Sequence, residues 1–127
     1  MLKKIYYHDT DCGGVVYYAN YLKYFEEART EYMHERGLNL STLADKGFLF
    51  VVKKVDIEYK APAHYADNLT ITTQISKIRN VSLDFFQEVK RENQILVTAT
   101  TVLVCIDKIL GLVHLPRKLS ILCKNDL

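Results

Sequence analysis

A helix of about five turns followed by four long strands, with one strand ahead of the helix, predicts an α+β fold for this 127-residue chain. Three observations carry that prediction. Tyr18, Tyr21, Leu22, Phe25, Ala28, Arg29 and Tyr32 recur at the spacing of one helical face. From Phe48 the pattern switches to alternation, with Val55, Ile57 and Tyr59 interleaved with Lys54, Asp56 and Glu58. Short polar breaks between the later strands imply antiparallel pairing in one sheet. The helix is aromatic or aliphatic around much of its circumference, so the sheet is expected to curl around it. The sheet's outer face and edges would then be left for a second copy of the chain.

Leu2 to Tyr7 is apolar and aromatic enough for the first strand, with Lys3 and Lys4 facing outward. A loop from Asp9 to Val16 leads into the helix, about Tyr18 to Arg36, and Gly37 stands where a left-handed residue ends it. A short second helix is expected over Ser41–Lys46, capped by Ser41 and stopped by Gly47. Phe48 to Tyr59 is the second strand. Lys60 to Asn68 is a connection, because Pro62 has no N–H to give to a ladder. Leu69–Ile78, Ser82–Lys90 and Ile95–Ile106 are further strands, their threonines suited to pleated surfaces. Arg91-Glu92-Asn93-Gln94 makes the hairpin turn between the last two. Asp107 to Gly111 closes the last strand, and Leu112–Leu122 is a tail with Pro116 as a helix start. Without internal repeats, low-complexity segments or linkers, residues 1–127 read as one domain.

An apolar fraction of 49% supports a core and argues against disorder. The net charge is only +2, from 17 basic and 15 acidic residues, which gives no reason to expect nucleic acid as a partner. No apolar run approaches the ~20 residues of a membrane span, and Met1-Leu2-Lys3-Lys4 begins no signal peptide. A cytoplasmic protein is the expectation. Cys12, Cys105 and Cys123 are odd in number and widely spaced, so they read as free thiols. The four histidines lack metal-ligand spacing, so no metal and no cofactor are expected.

The chemistry concentrates between His8 and Tyr21. Gly13 and Gly14 allow a sharp turn and close approach of a ligand. The helix start just beyond offers unpaired N–H groups and a partial positive charge, a site for an oxyanion. Asp11 stands a few residues upstream as base or nucleophile. The competing role for Asp11 is to cap local backbone in the turn, as aspartate commonly does.

Asp9-Thr10-Asp11-x-x-Gly14-Val15-Val16-Tyr17-x-x-Asn20-Tyr21, continuing to Phe25-Glu26-x-Ala28-Arg29, resembles the hotdog-fold acyl-CoA thioesterases. The 4-hydroxybenzoyl-CoA thioesterases and the thioesterases associated with the Tol–Pal envelope system are the most similar branches. Tyr59-x-x-Pro62-Ala63, Asp67, Val104-Cys105-Ile106-Asp107 and Leu115-Pro116 extend the likeness over essentially the whole chain. The resemblance implies an antiparallel sheet wrapped around one long helix, assembled as homodimers and often as homotetramers, with active sites at the dimer interface. It implies hydrolysis of an acyl-CoA, free or with acyl carrier protein as a further partner. Asp11 takes the position of the catalytic carboxylate and the Tyr18 N–H that of the carbonyl-polarising donor. Gly14, Val15, Val16 and Asn20 fall among the substrate-binding positions, although Asn20 also suits the loop–helix junction. Arg79 matches the start of a basic run that grips the coenzyme A nucleotide, here interrupted by Asn80 and Val81, and Ser82 beyond it can reach pantetheine or simply sit in a strand.

Other residues invite functional roles with less support. Cys12 is a nucleophile only with a histidine partner, and nothing in the spacing of His8, His34, His64 or His114 proposes one. Glu26 and Arg29 lie one turn apart and are expected to form an ion pair beneath the site. Lys60, Lys90, Arg91, Arg117 and Lys118 are further candidates for coenzyme A phosphates, or ordinary surface charges. Outside catalysis, the alternative is a hotdog protein that holds acyl-CoA or acyl carrier protein without turnover.

Overall fold

A computed structural model of the chain describes residues 1–119. Its strands are β1 (Leu2–Lys4), β2 (Leu49–Tyr59), β3 (Asn68–Ile78), β4 (Ser82–Arg91) and β5 (Gln94–Ile106), with helices α1 (Asn20–Glu35) and α2 (Leu40–Asp45) between β1 and β2. All five strands join one sheet in the order β1-β3-β4-β5-β2, and every pairing is antiparallel. This is the α+β arrangement expected. The order places β2 at one edge, paired only with β5 along its whole length.

One face of α1 supplies Tyr21, Tyr24, Phe25, Ala28, Tyr32 and Met33 to the interior. Tyr24, Phe25 and Ala28 meet Ile71, Val89, Val97 and Ala99 from the central strands. Further along, Tyr32 and Met33 join Ile75, Leu83, Phe85 and Cys105, with the Tyr32 and Phe85 rings edge to face at 5.7 Å. Strand alternation produces this face directly, since Phe85, Gln87 and Val89 all point inward from β4. Gln87 is the polar member. Its Nε2 donates to Phe25 O at 3.0 Å and Thr73 Oγ1 at 3.1 Å, while its Oε1 accepts from Arg29 Nη1 at 3.2 Å.

Four local expectations are corrected. The first strand stops at Lys4, which is exposed as expected, but Leu2 is exposed as well, while Lys3 is half-buried with Nζ 5.0 Å from the Tyr24 ring centre. The chain then turns through a short 3-10 segment, Tyr7–Asp9, because the Asp9 carboxylate accepts the Tyr6 N–H. Asn39, not Ser41, caps α2, its side chain accepting from Thr42 N. Arg29 forms no ion pair with Glu26. It runs inward to Gln87 while Glu26 stays exposed, and burial lowers the guanidinium pKa, an effect that the charge of Glu26 partly opposes.

Gly37 does end α1 in the left-handed region, at φ +77°, and Lys118 Nζ donates to its carbonyl at 2.7 Å. Of the expected tail, helical backbone follows Pro116 at residues 117–119, and residues 120–122 lie outside the described residues, as does Cys123. Cys12 and Cys105 are free thiols; burial pushes the Cys105 pKa up to about 11, which keeps it protonated and unreactive.

Candidate active site

The loop from Asp9 to Tyr18 is held on three sides. Toward α1, Asn20 Nδ2 donates to Asp9 O at 2.9 Å, and Tyr24 hydroxyl donates to Asp9 Oδ1 at 2.8 Å. Toward the connection after β2, Val16 N donates to Ala63 O at 2.8 Å, and Val15 bridges to His64. Within itself, Asp11 N donates to Val15 O and Tyr17 N to Asp9 O. The connection is rigid in turn, because Asp67 Oδ2 accepts from Arg91 Nη1 at 2.7 Å and from His64 N at 2.8 Å. Burial would raise the Asp67 pKa, but these donors and their charges outweigh it and hold the carboxyl below its ordinary value.

Asp9 is the buried carboxylate of the loop, a member of the sequence motif to which no role was assigned. Burial favours its protonated form, but the Tyr6 N–H, the Tyr24 hydroxyl and the charges of Lys3 and His8 win, so its pKa is lowered. Burial, together with the same bond, raises the Tyr24 phenol well above its usual range. Asp9 is therefore a fixed anion that ties the loop to the helix.

Asp11 is placed differently. It is exposed, and its Oδ1 accepts from Gly13 N at 2.8 Å, the local cap that competed with catalysis in the sequence reading. Its Oδ2 has no protein partner among the described residues, so the cap fixes the carboxylate while leaving one oxygen available. Gly13 is packed against the bonded oxygen: a Cβ there would lie 3.2 Å from Asp11 Oδ1. Gly14, at φ +79°, supplies the left-handed turn that brings the chain back for Val15 and Val16 to pair.

Helix α1 begins at Asn20, so Tyr18 lies in the turn before it and not in its first turn proper. Asn20 N donates to Tyr17 O and Tyr21 N to Tyr18 O, extending the spiral backward by one tight turn. Among the described residues nothing accepts from the Tyr18 N–H. Tyr18, Val16, Tyr21, Tyr59, Lys60, Ala61 and Pro62 line a cavity of about 310 Å³. Tyr59, at the end of β2, reaches across it: its hydroxyl donates to Tyr18 O at 3.3 Å and the two rings meet edge to face at 6.2 Å. Tyr21 hydroxyl accepts from Ala63 N at 3.2 Å. The sequence reading missed Tyr59 as a wall of this cavity, although its place in the Tyr59-x-x-Pro62-Ala63 motif was the available signal.

Arg79 and Ser82 lie apart from this cavity. They border a second one of about 460 Å³ with Lys53, Lys54, Asp56, Asp84, Thr100 and Val102. Arg79 is gripped there by Asp84 through two bonds of 2.6 and 3.1 Å, which raise its pKa, and its Nη1 lies 3.4 Å from Ser82 Oγ. Two other cations have structural duties, Arg91 holding Asp67 and Lys118 the end of α1. Among the described residues no cluster of acids, histidines and cysteines is arranged to hold a metal.

The profile of the thioesterase-like superfamily matches residues 6–119, which take in strands β2 to β5, both helices and the loop. The chain belongs to that superfamily. This thioesterase-like chain is 43% identical over 105 residues to the acyl-CoA thioester hydrolase YbgC of Escherichia coli, spanning 82% of this chain and 78% of that protein. Among solved structures, a probable thioesterase from Bartonella henselae superposes with a TM-score of 0.88 at 32% identity, covering 91% of this chain and 97% of that one. A 4-hydroxybenzoyl-CoA thioesterase variant complexed with 4-hydroxybenzoyl-CoA superposes with a TM-score of 0.88 at 25% identity, covering 97% and 96%. The hotdog arrangement implied by the sequence resemblance is borne out.

Proposed function

We propose that this chain hydrolyses acyl-CoA thioesters, with Asp11 as the catalytic carboxylate and the Tyr18 N–H as the donor to the thioester oxygen. The supporting observation is the pairing of a pinned, half-committed carboxylate with a backbone amide that has no acceptor, both on one loop clamped from three sides. As the carbonyl is attacked its oxygen gains charge. A preorganised N–H lowers that barrier by roughly 3–4 kcal/mol because it needs no reorientation as the charge develops. Asp11 Oδ2 attacks the carbonyl to give an anhydride or removes a proton from attacking water; both routes use the same oxygen. The thiolate of coenzyme A leaves; on the first route water then hydrolyses the anhydride, freeing the acid and restoring the Asp11 carboxylate, and on the second the tetrahedral adduct collapses directly to the acid.

Gly14, Val15 and Val16 shape the wall beside the reacting carbon, and the tyrosine-lined cavity houses part of the acyl-pantetheine. Asn20 acts through the loop, since its amide is spent on Asp9 O. The protein acts in the cytoplasm, where the exposed Cys12 stays reduced. It works as a homodimer, or a homotetramer built from two, on free acyl-CoA or on acyl carrier protein.

The test is thiol release from short, long and aromatic acyl-CoAs by wild type and Asp11→Asn. The variant is expected to lose about a hundredfold or more in kcat, the range for removing a positioned base, with unchanged folding and oligomer size. Equal rates in the two proteins overturn the role of Asp11. Binding without turnover on every substrate would make the protein an acyl-CoA holder.

A further inference from the structure

Arg29 is the buried cation of α1, only 9% exposed, and its one partner is uncharged. Of the five N–H groups of a guanidinium, one on Nη1 reaches Gln87 Oε1 at 3.2 Å. No carboxylate among the described residues comes within ion-pair distance of it. A cation so poorly matched is costly to bury unless its remaining donors have an outlet. Among the described residues no side-chain nitrogen or oxygen is sealed away without a hydrogen-bond partner. The unbonded Arg29 nitrogens therefore open onto the cavity of about 150 Å³ that this residue borders.

That cavity has two kinds of wall. Met33 from α1, Phe50 and Val52 from β2, Phe85 from β4 and Leu103 from β5 make most of it apolar. On the helix side, Arg29 and the half-buried Thr30 supply donors, and the exposed Glu26 stands at the rim. Water would serve the guanidinium but gain nothing from the apolar wall. A carboxylate on a short aliphatic chain suits both, because its two oxygens match the guanidinium fork and its chain matches the wall. The volume is that of about five waters at ~30 Å³ each, which sets the acid at roughly two to four carbons. Glu26, whose charge acts on Arg29 without forming an ion pair, disfavours a second carboxylate on the same ligand.

We propose that this cavity binds a short aliphatic monocarboxylate, held by the Arg29 guanidinium with Thr30 beside it. The site is separate from the Asp11 loop. Arg29 lies nine residues beyond the start of α1 at Asn20, about 14 Å along the helix axis. Binding stands without the hydrolase reading. Only the origin of the ligand, as the acid freed from a short-chain acyl-CoA, rests on that reading.

The test is a titration of butyrate followed by proton–nitrogen correlation NMR, with butyramide and succinate titrated in parallel. In wild type the Arg29 Nε–H signal and the backbone amides of Thr30, Met33, Val52 and Leu103 are expected to shift saturably with butyrate. Butyramide lacks the charge and succinate carries a second one, so both are expected to bind about tenfold more weakly or worse. Arg29→Lys keeps the charge without the fork and should weaken butyrate about tenfold, and Arg29→Leu should abolish its binding. Because the wild-type signals alone locate the ligand, the result does not depend on whether Arg29→Leu folds. Shifts confined to Gly13–Tyr18, no saturable shift, or butyramide binding as tightly as butyrate each overturn the proposal. So does equal butyrate affinity in wild type and a folded Arg29→Leu. Saturable binding at Arg29 in a protein that releases no thiol from any acyl-CoA would sustain the site while refuting the hydrolase reading alone.

Discussion

Asp9 and Asp11 stand two residues apart in one loop, yet their surroundings give them different chemistry. Asp11 is exposed with one oxygen uncommitted, whereas Asp9 is buried with both oxygens bonded. The motif made Asp11 legible because a carboxylate before a glycine pair reads locally. Asp9 was illegible because its burial depends on the Tyr24 hydroxyl, which arrives from within the helix fifteen residues later. Its lowered pKa has a consequence for stability. Between the folded and the ordinary carboxylate values, the unfolded chain binds the proton that the folded chain refuses. The stabilisation is thus complete above the ordinary value and is lost as pH falls through the folded one. Asp9→Asn is expected to cost about 2 kcal/mol near neutrality, as for a buried hydrogen bond to a charged group. The gap between variant and wild type should narrow below about pH 4. Urea unfolding at pH 7 and pH 3 measures it, and a gap that widens in acid would show Asp9 to be protonated in the folded state.

At the scale of elements, periodicity found α1 and the four long strands to within a residue or two, because their buried faces are continuous. It failed where one residue changes the register. The bulge after Val52 breaks the two-residue period locally, and the three residues of β1 are too few for alternation to show which face turns inward. Gln87 was readable in principle, as the one polar residue on the inward face between Phe85 and Val89. What no pattern shows is that its partners are a helix carbonyl and the Arg29 guanidinium, which let the helix and sheet recognise one another by hydrogen bonds as well as by shape. Gln87→Leu should keep the packing volume but leave Arg29 buried without that acceptor, at a cost of about 3 kcal/mol. Adding Arg29→Leu should recover much of the loss, because the unpaired charge goes with it. Chemical denaturation of the two singles and the double variant would measure the coupling, and additive losses would show that Arg29 and Gln87 do not depend on each other.

The strand order of the whole molecule was not legible, because β1 joins β3 and β2 joins β5 across connections that local pattern cannot trace. That order has a physical consequence. It leaves an eleven-residue strand, β2, with a free edge, and Val51 and Val52 on it are 42% and 50% exposed. Unpaired N–H and C=O groups beside exposed valines invite another strand, and a second copy of β2 would satisfy both. Val52 also borders a small cavity of about 150 Å³ with Phe50, Phe85, Leu103, Met33 and Arg29, which a partner would cover. Val52→Glu puts a charge into that contact without touching the Asp9–Tyr18 loop. It is expected to weaken the proposed dimer by about 2 kcal/mol, seen as a shift toward monomer in sedimentation velocity, with the circular dichroism spectrum kept. If the active site is completed across the interface, specific activity should fall with the dimer fraction and return at high protein concentration. A variant that turns monomeric yet keeps full activity would place the whole catalytic apparatus within one chain.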